Sequence, residues 1–364
     1  MAHVALSGAN GFLGWHTRLA LREQGLDGVA VPVGQGFTLD QAVKSLDGSS
    51  RAIHLAGVNR ASETEVAEGN AEFANQFAAA LRATTQPPPL VVYANSIQAS
   101  GNSVYGRAKR QASEILASAA RDVGADYVDV ALPNLFGEHG RPFYNAVTAT
   151  FCYLLAQGEQ PVVEQDRELT LLHAQNAADL LIGATPLEAQ DTLEARESVT
   201  GLLERLKSVA AVYGVGEIPD IASPFDRDLF NTYRSYTFES LTPISLQRHA
   251  DARGAFFEIV RSRGGQGQSS FSTTVPGVTR GDHFHRRKVE RFTVLAGKAT
   301  ISLRRVFTTR VFDFHVTGDA PVAVDMPTGW AHNITNTGDD LLYTSFWTDD
   351  IFDATRPDTI PEAV

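Results

Sequence analysis

At 364 residues the chain is long enough for two domains, and its 43% hydrophobic and 20% charged residues are the balance of an ordinary globular protein. A formal charge of −11 argues against nucleic acid or an anionic membrane surface as the main partner, and the single cysteine, Cys152, excludes an internal disulfide and a thiolate metal cluster. No apolar run approaches the roughly 18 to 20 residues that cross a bilayer, and the N-terminus lacks the basic-then-apolar layout of a secretion signal, which points to the cytoplasm.

The chain opens on a short apolar strand, His3 to Leu6, which runs into Ser7-Gly8-Ala9-Asn10-Gly11-Phe12-Leu13-Gly14 and then into a helical stretch, Leu13 to Gln24. Glycines at 8, 11 and 14 permit a tight turn, close backbone approach to a pyrophosphate and close packing of helix on strand. Placed between a strand and a helix, this triplet predicts a dinucleotide site rather than a structural turn. A second strand is expected at Val29 to Val33. No Asp or Glu stands at its end to hold a free ribose hydroxyl, so NADPH is the expected cofactor. Further strands at Ala52 to Leu55, Leu90 to Ala94 and Tyr127 to Leu132 alternate with helices around Ala67 to Ala83 and Tyr105 to Ala120. Such alternation predicts a doubly wound, Rossmann-type α/β domain with a parallel sheet.

Asn95-Ser96 follows the strand ending at Ala94, and Tyr105-Gly106-Arg107-Ala108-Lys109 heads the next helix. Tyr105 and Lys109 lie four apart and share a helical face. An ammonium there would favour the phenolate and lower the tyrosine pKa, while the Ser96 hydroxyl could hold a carbonyl oxygen. Between about Ile221 and Pro243 the pattern becomes turn-rich and aromatic, with the Ser223-Pro224 break, Phe230, Tyr233 and Tyr236, and reads as a linker. After it come short β-type runs at Phe256 to Arg261, Ser269 to Val275, Arg291 to Leu295, Ala299 to Val306, Val311 to Val316, Val322 to Met326 and Leu341 to Trp347. With glycine-bearing turns between them, they predict an antiparallel barrel or jelly roll. The expected domains are residues 1–237, linker included, and 238–364.

Within the β-rich part, Gly277 is followed after five residues by His283-Phe284-His285, after four more by Glu290 and after six more by Gly297. His332 lies 35 residues beyond Gly297, with Asn336 four further on. Strand alternation puts His283 and His285 on one face, and a neighbouring strand can bring Glu290 to them. Three imidazoles and a carboxylate suit a borderline divalent ion, which makes His283, His285, Glu290 and His332 the candidate metal ligands.

The N-terminal residues resemble the extended short-chain dehydrogenase/reductases that act on nucleotide sugars: the loop of Gly8, Gly11 and Gly14, His54-Leu55-Ala56-Gly57, Ser96, Tyr105, Lys109 and Leu132-Pro133-Asn134-Leu135-Phe136-Gly137. The resemblance implies that Tyr105 gives a proton to a carbonyl receiving hydride from the nicotinamide. It also implies cofactor contacts at Gly8, Asn10, Gly11, Phe12, Leu13, Gly14, Leu55, Ala56, Gly57, Tyr105, Lys109, Pro133 and Asn134. The chain departs from that pattern in the 39 residues between Gly14 and His54 and in Ser96 standing only nine before Tyr105, both short, so a trimmed adenine side is expected.

The histidine spacing resembles the two cupin motifs, except that the second would start on glycine where this chain has Pro321. Asp251-Ala252-Arg253-Gly254-Ala255-Phe256-Phe257-Glu258 and Gly277-Val278-Thr279-Arg280-Gly281 are similar to the cupin epimerases that invert 4-keto nucleotide sugars. That resemblance implies nucleotide-phosphate contacts at Arg253 and Arg280, an enolate-stabilising Lys288 and, by a loose match, a tyrosine acid at Tyr343. It also matches a catalytic base to His283, which leaves that residue open between base and ligand.

The order reductase then cupin, with Asn231-Thr232-Tyr233-Arg234-Ser235-Tyr236 between them, closely resembles the bifunctional capsular-polysaccharide enzymes of the CapF family. Further matches are Ser96-Ile97-Gln98-Ala99, Arg141-Pro142-Phe143-Tyr144-Asn145 and Phe151-Cys152-Tyr153. This implies C3 epimerisation of a UDP-2-acetamido-2,6-dideoxy-4-hexulose and NADPH reduction at C4, giving UDP-N-acetyl-6-deoxy-L-talosamine on the path to N-acetyl-L-fucosamine. It implies zinc, a homodimer, and substrate contacts at Asn134 and Arg141. Two other readings stay open: a 4-keto reductase whose cupin only dimerises the chain, and a regulator that binds NADPH and a metal without turnover.

Overall fold

The computed structural model describes residues 3–364 and divides into two compact units. The first holds the chain up to Phe136, Gly140–Val147 and Arg167–Ser198; the second holds Gly137–His139, Thr148–Asp166 and Val199–Val364.

The first unit begins β1 (His3–Ser7), α1 (Phe12–Glu23), β2 (Asp27–Val31), α2 (Leu39–Leu46), β3 (Arg51–His54), α3 (Glu63–Arg82), β4 (Leu90–Ser96), α4 (Val104–Val123) and β5 (Asp126–Leu132). The five strands pair in parallel in the order β2-β1-β3-β4-β5. Beyond them lie β6 (Asn134–Phe136), α5 (Val147–Ala156), which from Thr148 on falls in the second unit, β7 (Glu168–His173), α6 (Ala174–Ile182), α7 (Gln190–Leu193) and β8 (Ala195–Ser198), with β6, β7 and β8 forming a small sheet of their own. Alternate strand residues feed opposite faces of the main sheet. Ala5, Val91 and Tyr93 pack with Leu46, Phe77 and Leu116 of α2, α3 and α4, while Val4, Leu6 and Val92 pack with Leu21 of α1 and Leu180 of α6. Helices therefore cover both faces, as the alternation predicts. Local signals set the helix ends: Ser62 and Glu65 form a capping box at the start of α3, and Gly124, at φ 74°, ends α4.

The second unit continues with α8 (Val199–Tyr213), β9 (Ile218–Asp220) and α9 (Pro224–Leu241). The expected linker over 221–243 is thus mostly an 18-residue helix, and the expected boundary at 237/238 falls inside it. The Ser223 hydroxyl caps it by accepting from Asp226 N–H, Pro224 sits in its first turn, and Leu229, Phe230, Tyr233 and Phe238 form its buried face. Aromatic residues of low helix propensity disguised a 3.6-residue period that tertiary burial enforces. Because α8 and α9 belong to the second unit, that unit starts some forty residues earlier than expected.

The strands are β10 (Ile244–Ser245), β11 (His249–Asp251), β12 (Gly254–Phe256), β13 (Ser262–Gly264), β14 (Gln268–Thr274), β15 (Thr279–Phe284), β16 (Glu290–Ala296), β17 (Lys298–Arg305), β18 (Val311–Thr317), β19 (Val322–Met326), β20 (Trp330–Asn336), β21 (Leu342–Thr348) and β22 (Ile360–Pro361). Two antiparallel sheets, β10-β19-β16-β21-β14 and β18-β17-β20-β15-β22, share one core built from Phe292, Val324 and Leu342 of one and Ile301, Leu303 and Ile334 of the other. The run Phe256 to Arg261 does not form the expected strand, and only its ends enter β12 and the residues before β13. Its first residue, Phe256, is exposed, so no buried face fixes a register there.

Phe238 places α9 in the β core, its ring 4.6 Å from that of Trp330. Phe238→Ala should cost about 3–5 kcal/mol, read as a lower urea midpoint for the second unit, whereas a linker aromatic would cost little.

Candidate active site and metal centre

The C-terminal end of β1 delivers the glycine loop. Gly8 has φ +69°, and a Cβ on it would lie 2.8 Å from the Ala56 backbone nitrogen. At Gly14 a Cβ would fall 2.2 Å from the Gly8 carbonyl oxygen, so helix α1 can start this close to the turn only without a side chain there. Gly11 is the N-cap residue of α1, which places Phe12, Leu13 and Gly14 in the first helical turn, where backbone N–H groups are free for an anion. The Ser7 hydroxyl accepts from Leu55 and Ala56 N–H (3.1 and 3.2 Å) and meets His54 Nδ1 at 2.9 Å, tying the glycine loop to the Leu55-Ala56-Gly57 loop. Burial, followed by the Lys109 cation, lowers the His54 pKa to about 3, which keeps that ring neutral. On the adenine side β2 ends at Val31, two residues before the expected end, and is followed by Pro32, Val33 and Gly34 with no acidic group.

Ser96 closes β4 and Tyr105 lies in the first turn of α4, where the Ser96 side chain hydrogen-bonds the phenol. The nine-residue spacing is spanned by a short 3-10 turn over Ile97–Ser100. Gly106 makes this possible: a Cβ there would sit 2.3 Å from the Gln98 carbonyl oxygen. Lys109 Nζ is buried, donates to the Ala94 carbonyl at 2.7 Å and lies 4.3 Å from the Tyr93 ring centre. The expected lowering of the tyrosine pKa is not found. Burial raises it, and the Ser96 hydrogen bond only partly opposes the rise. Burial instead lowers Lys109 to about 7, with the Asp129 carboxylate acting against it. Asp129, which accepts from Asn95 Nδ2 at 2.9 Å and from Ser113, was missed from the sequence, where its only signal was an acid within the apolar Tyr127 to Leu132 run.

In the second unit one cluster forms from three strand ends. His332 on β20 pairs directly with His283 on β15, Glu290 opens β16 in the other sheet, and His285 follows β15. Ligand atoms of His283, His285, Glu290 and His332 all lie within 4.8 Å of one another. His285 does not share the strand alternation expected of it. A bulge at Asp282 (φ 58°) resets the register, and β15 ends at Phe284, so His285 reaches the cluster from the following turn. His285 Nδ1–H donates to the Asp358 carbonyl (2.5 Å) and His332 Nδ1–H to the Trp330 carbonyl (3.1 Å), which turns both Nε2 atoms toward Glu290. His285 Nε2 is 2.8 Å from Glu290 Oε2; His332 Nε2 is 3.2 Å away but buried without a hydrogen bond of proper geometry. Burial lowers the His283 pKa to about 3, aided by the neighbouring imidazoles. For Glu290 burial acts upward, yet His285 and His332 hold the carboxyl well below its usual range. Three converging imidazoles, an ionised carboxylate and a buried ring nitrogen without a well-formed hydrogen bond are the donor set a divalent cation takes, so the residues fit one.

Beside the cluster lies a cavity of about 240 Å³ lined by Gln268, Ser270, Lys288, Glu290, Phe346, Thr348 and the loop from Asp350 to Pro357, including Phe352 and Arg356. Lys288 reaches it because residues 285–289 turn rather than continue the strand. Tyr343 does not reach it: along β21 it shares a face with Ser345 and Trp347, opposite Phe346 and Thr348. Arg253 lies on the exposed β11–β12 hairpin, paired with Asp251. Arg280 faces the cluster side of β15 and donates to Thr274 Oγ1 at 3.1 Å. Asn336 closes β20 and donates to the Thr274 and Asp340 carbonyls. In the first unit Asn134 donates to the Thr170 carbonyl, and the exposed Arg141 stacks on Tyr144. Gln268, Ser270 and Arg356 were missed because no motif marks them; only pairing across β14 and β21 brings the first two inward.

A Rossmann-type fold carrying a serine, a tyrosine and a lysine at the ends of adjacent elements is that of a short-chain dehydrogenase/reductase, here followed by an all-β domain. The model of the NAD dependent epimerase/dehydratase family matches residues 4–189 and that of the polysaccharide biosynthesis C-terminal domain residues 249–360. Over 370 residues the chain is 32% identical to UDP-2-acetamido-2,6-beta-L-arabino-hexul-4-ose reductase of Pseudomonas aeruginosa strain PA103, covering 98% of this chain and 97% of that one. The crystal structure of the capsular polysaccharide assembling protein CapF from Staphylococcus aureus is 30% identical, with a TM-score of 0.62 and full coverage of both chains; a second crystal form gives 27% and 0.55, again with full coverage of both. The chain is an enzyme that belongs to the NAD-dependent epimerase/dehydratase family and, over its whole length, to its CapF-type branch. No helix among the described residues is long and apolar enough to cross a membrane.

The buried lysine has a consequence for stability. Lys109 titrates near 7 folded against 10.5 in its ordinary state, so between those values the unfolded chain binds the extra proton and stability rises with pH. Lys109→Met should flatten that rise between about pH 7 and 10, measured as the urea midpoint of the first unit.

Proposed function

We propose that the chain is a bifunctional nucleotide-sugar enzyme, a C3-epimerase in the β domain, which we read as a cupin jelly roll, and an NADPH-dependent C4-reductase in the Rossmann domain. Its substrate on this reading is a UDP-activated 4-keto-6-deoxy N-acetylhexosamine and its product UDP-N-acetyl-6-deoxy-L-talosamine, for capsular or related polysaccharide. The observation that carries the reading is the coexistence of the Ser96, Tyr105, Lys109 set with the four-ligand cluster, whose neighbouring cavity holds a lysine. The name of the Pseudomonas relative, a hexul-4-ose reductase, supports the substrate class.

The two reactions are chemically ordered. A 4-keto group acidifies the hydrogen on C3, so inversion there is possible only while the ketone persists, and reduction then traps the product. In the reductive half NADPH supplies the hydride. Tyr105 donates its phenolic proton to the C4 oxygen, Ser96 holds that oxygen in place, and Lys109, on the same helix face, binds the cofactor. Lack of an acidic group after Val31 supports NADPH over NADH. In the epimerising half His283, His285, Glu290 and His332 would hold zinc, which as a closed four-ligand site adds chiefly to folding free energy. Lys288, at the cavity wall, then stabilises the negative charge that develops on the C4 oxygen when a water molecule takes the C3 proton, and a proton from solvent returns to the opposite face of C3 to restore the ketone in the inverted sugar. Arg280 and Asn134 with Arg141 remain the phosphate and sugar contacts of this reading. The edge strand β14, with Phe271 exposed, supports a homodimer.

Tyr105→Phe should abolish NADPH oxidation with a UDP-4-keto-6-deoxy amino sugar while leaving solvent deuterium exchange at C3 near wild type. Oxidation continuing at the wild-type rate would remove Tyr105 from its role, and absence of C3 exchange in the wild type would leave a reductase with a purely structural β domain. After exhaustive dialysis, elemental analysis should find about one zinc per chain, lost in a His285→Ala, His332→Ala double variant. Chelation should lower the melting temperature of the second unit.

A further inference from the structure

Two of the four cluster residues, His283 and His285, are held by the segment from Asp358 to Pro361. The turn over residues 285–289 connects His285 to Glu290 and is not part of either sheet. Three successive backbone N–H groups of this turn converge on one carboxylate: Arg286 N–H donates to Asp358 Oδ1 at 3.0 Å, and Arg287 and Lys288 N–H donate to Oδ2 at 2.9 Å each. The Asp358 carbonyl is the acceptor of His285 Nδ1–H. Asp358 is 6% exposed and has φ 43°, a left-handed conformation that costs a non-glycine residue energy and persists where surrounding bonds over-determine it. The Arg287 guanidinium lies 3.2 Å from the same carboxylate. The same segment aims the cavity lysine, since Lys288 Nζ contacts the Pro357 carbonyl at 3.3 Å and Thr359 Oγ1 at 3.2 Å. β22 then pairs with His283 and Phe284, and Glu362 pairs with Arg304.

We infer that Asp358 is the positioning residue of the metal centre: its carboxylate fills the backbone nest of residues 286–288 and so fixes the turn that carries His285, while its carbonyl selects the His285 tautomer that leaves Nε2 for the metal. A nest of consecutive N–H groups binds an anion, and here the chain supplies its own. The inference rests on the reading of the cluster as a metal site and adds that ligand geometry depends on a residue 68 positions or more beyond every ligand but His332. Outer-shell partners of this kind change metal affinity about 10- to 100-fold when removed.

The test measures zinc affinity of the full chain by competition with a chromophoric chelator, and the visible absorption of the cobalt-substituted protein. Asp358→Ala should weaken zinc about 10- to 100-fold and change the cobalt bands, and Asp358→Asn, which keeps one acceptor oxygen, should fall between it and wild type. Glu362→Gln, which loosens the tail without touching the ligand turn, should keep wild-type affinity and spectrum. Wild-type affinity and spectrum in Asp358→Ala overturn the inference, as does equal weakening in Glu362→Gln, which would assign the effect to tail docking in general. Should Asp358→Ala fail to fold, Asp358→Asn against Glu362→Gln decides by the same two readouts. If the wild-type chain takes up no stoichiometric zinc or cobalt, the metal reading itself fails and the inference with it; loss of metal in His332→Ala with retention in Asp358→Ala overturns the inference alone.

Discussion

A carboxylate buried among three imidazoles is the constraint around which the β domain is arranged. Left alone, such a group would carry a large desolvation cost and a buried nitrogen without a partner. The domain meets this by drawing the four side chains from both sheets and one turn, and by giving His285 and His332 backbone carbonyls as second partners. The bulge at Asp282, the departure of His285 from its strand and the tail around Asp358 all accompany the meeting of the four side chains at one point. The same departure swings Lys288 to the cavity wall, so the residue that would serve the sugar is placed by the geometry that gathers the histidine–glutamate cluster.

In the Rossmann domain the governing constraint is close backbone approach. Gly8 and Gly14 let loop and helix meet at distances no side chain allows, and Gly106 does the same for the turn between Ser96 and Tyr105. The shortened spacing is therefore absorbed by one glycine without displacing Ser96 from the phenol. Lys109, driven toward neutrality by burial, is partly restored by Asp129, so its charge depends on a residue in the adjacent strand.

Much of this was legible in the chain because it is local. The glycine loop, the tyrosine and lysine four apart and the His-x-His spacing are patterns within a dozen residues, and the parallel sheet follows from strict alternation of elements. What was misread is where local preference and tertiary burial disagree. The aromatic run from Phe230 to Phe238 has poor helix propensity yet forms α9, because its 3.6-residue face is buried, Phe230 and Tyr233 against Tyr213 of α8 and Phe238 in the β core. Tyr343 fell to a single fact of register: one position along β21 decides which face of the sheet a side chain takes.

The sequence by itself determined the glycine loop, the grouping of Ser96, Tyr105 and Lys109 and the identities of the four side chains of the histidine–glutamate cluster, since each is a matter of residue type at short spacing. Only the tertiary structure decided that α8 and α9 belong with the β unit, that Gln268, Ser270 and Arg356 line the cavity, and that Asp358 grips the turn behind His285. The reason is physical. Those relations join residues up to 112 positions apart, as in the Tyr213–Asp325 hydrogen bond, and nothing in the type of a residue records which distant group will meet it.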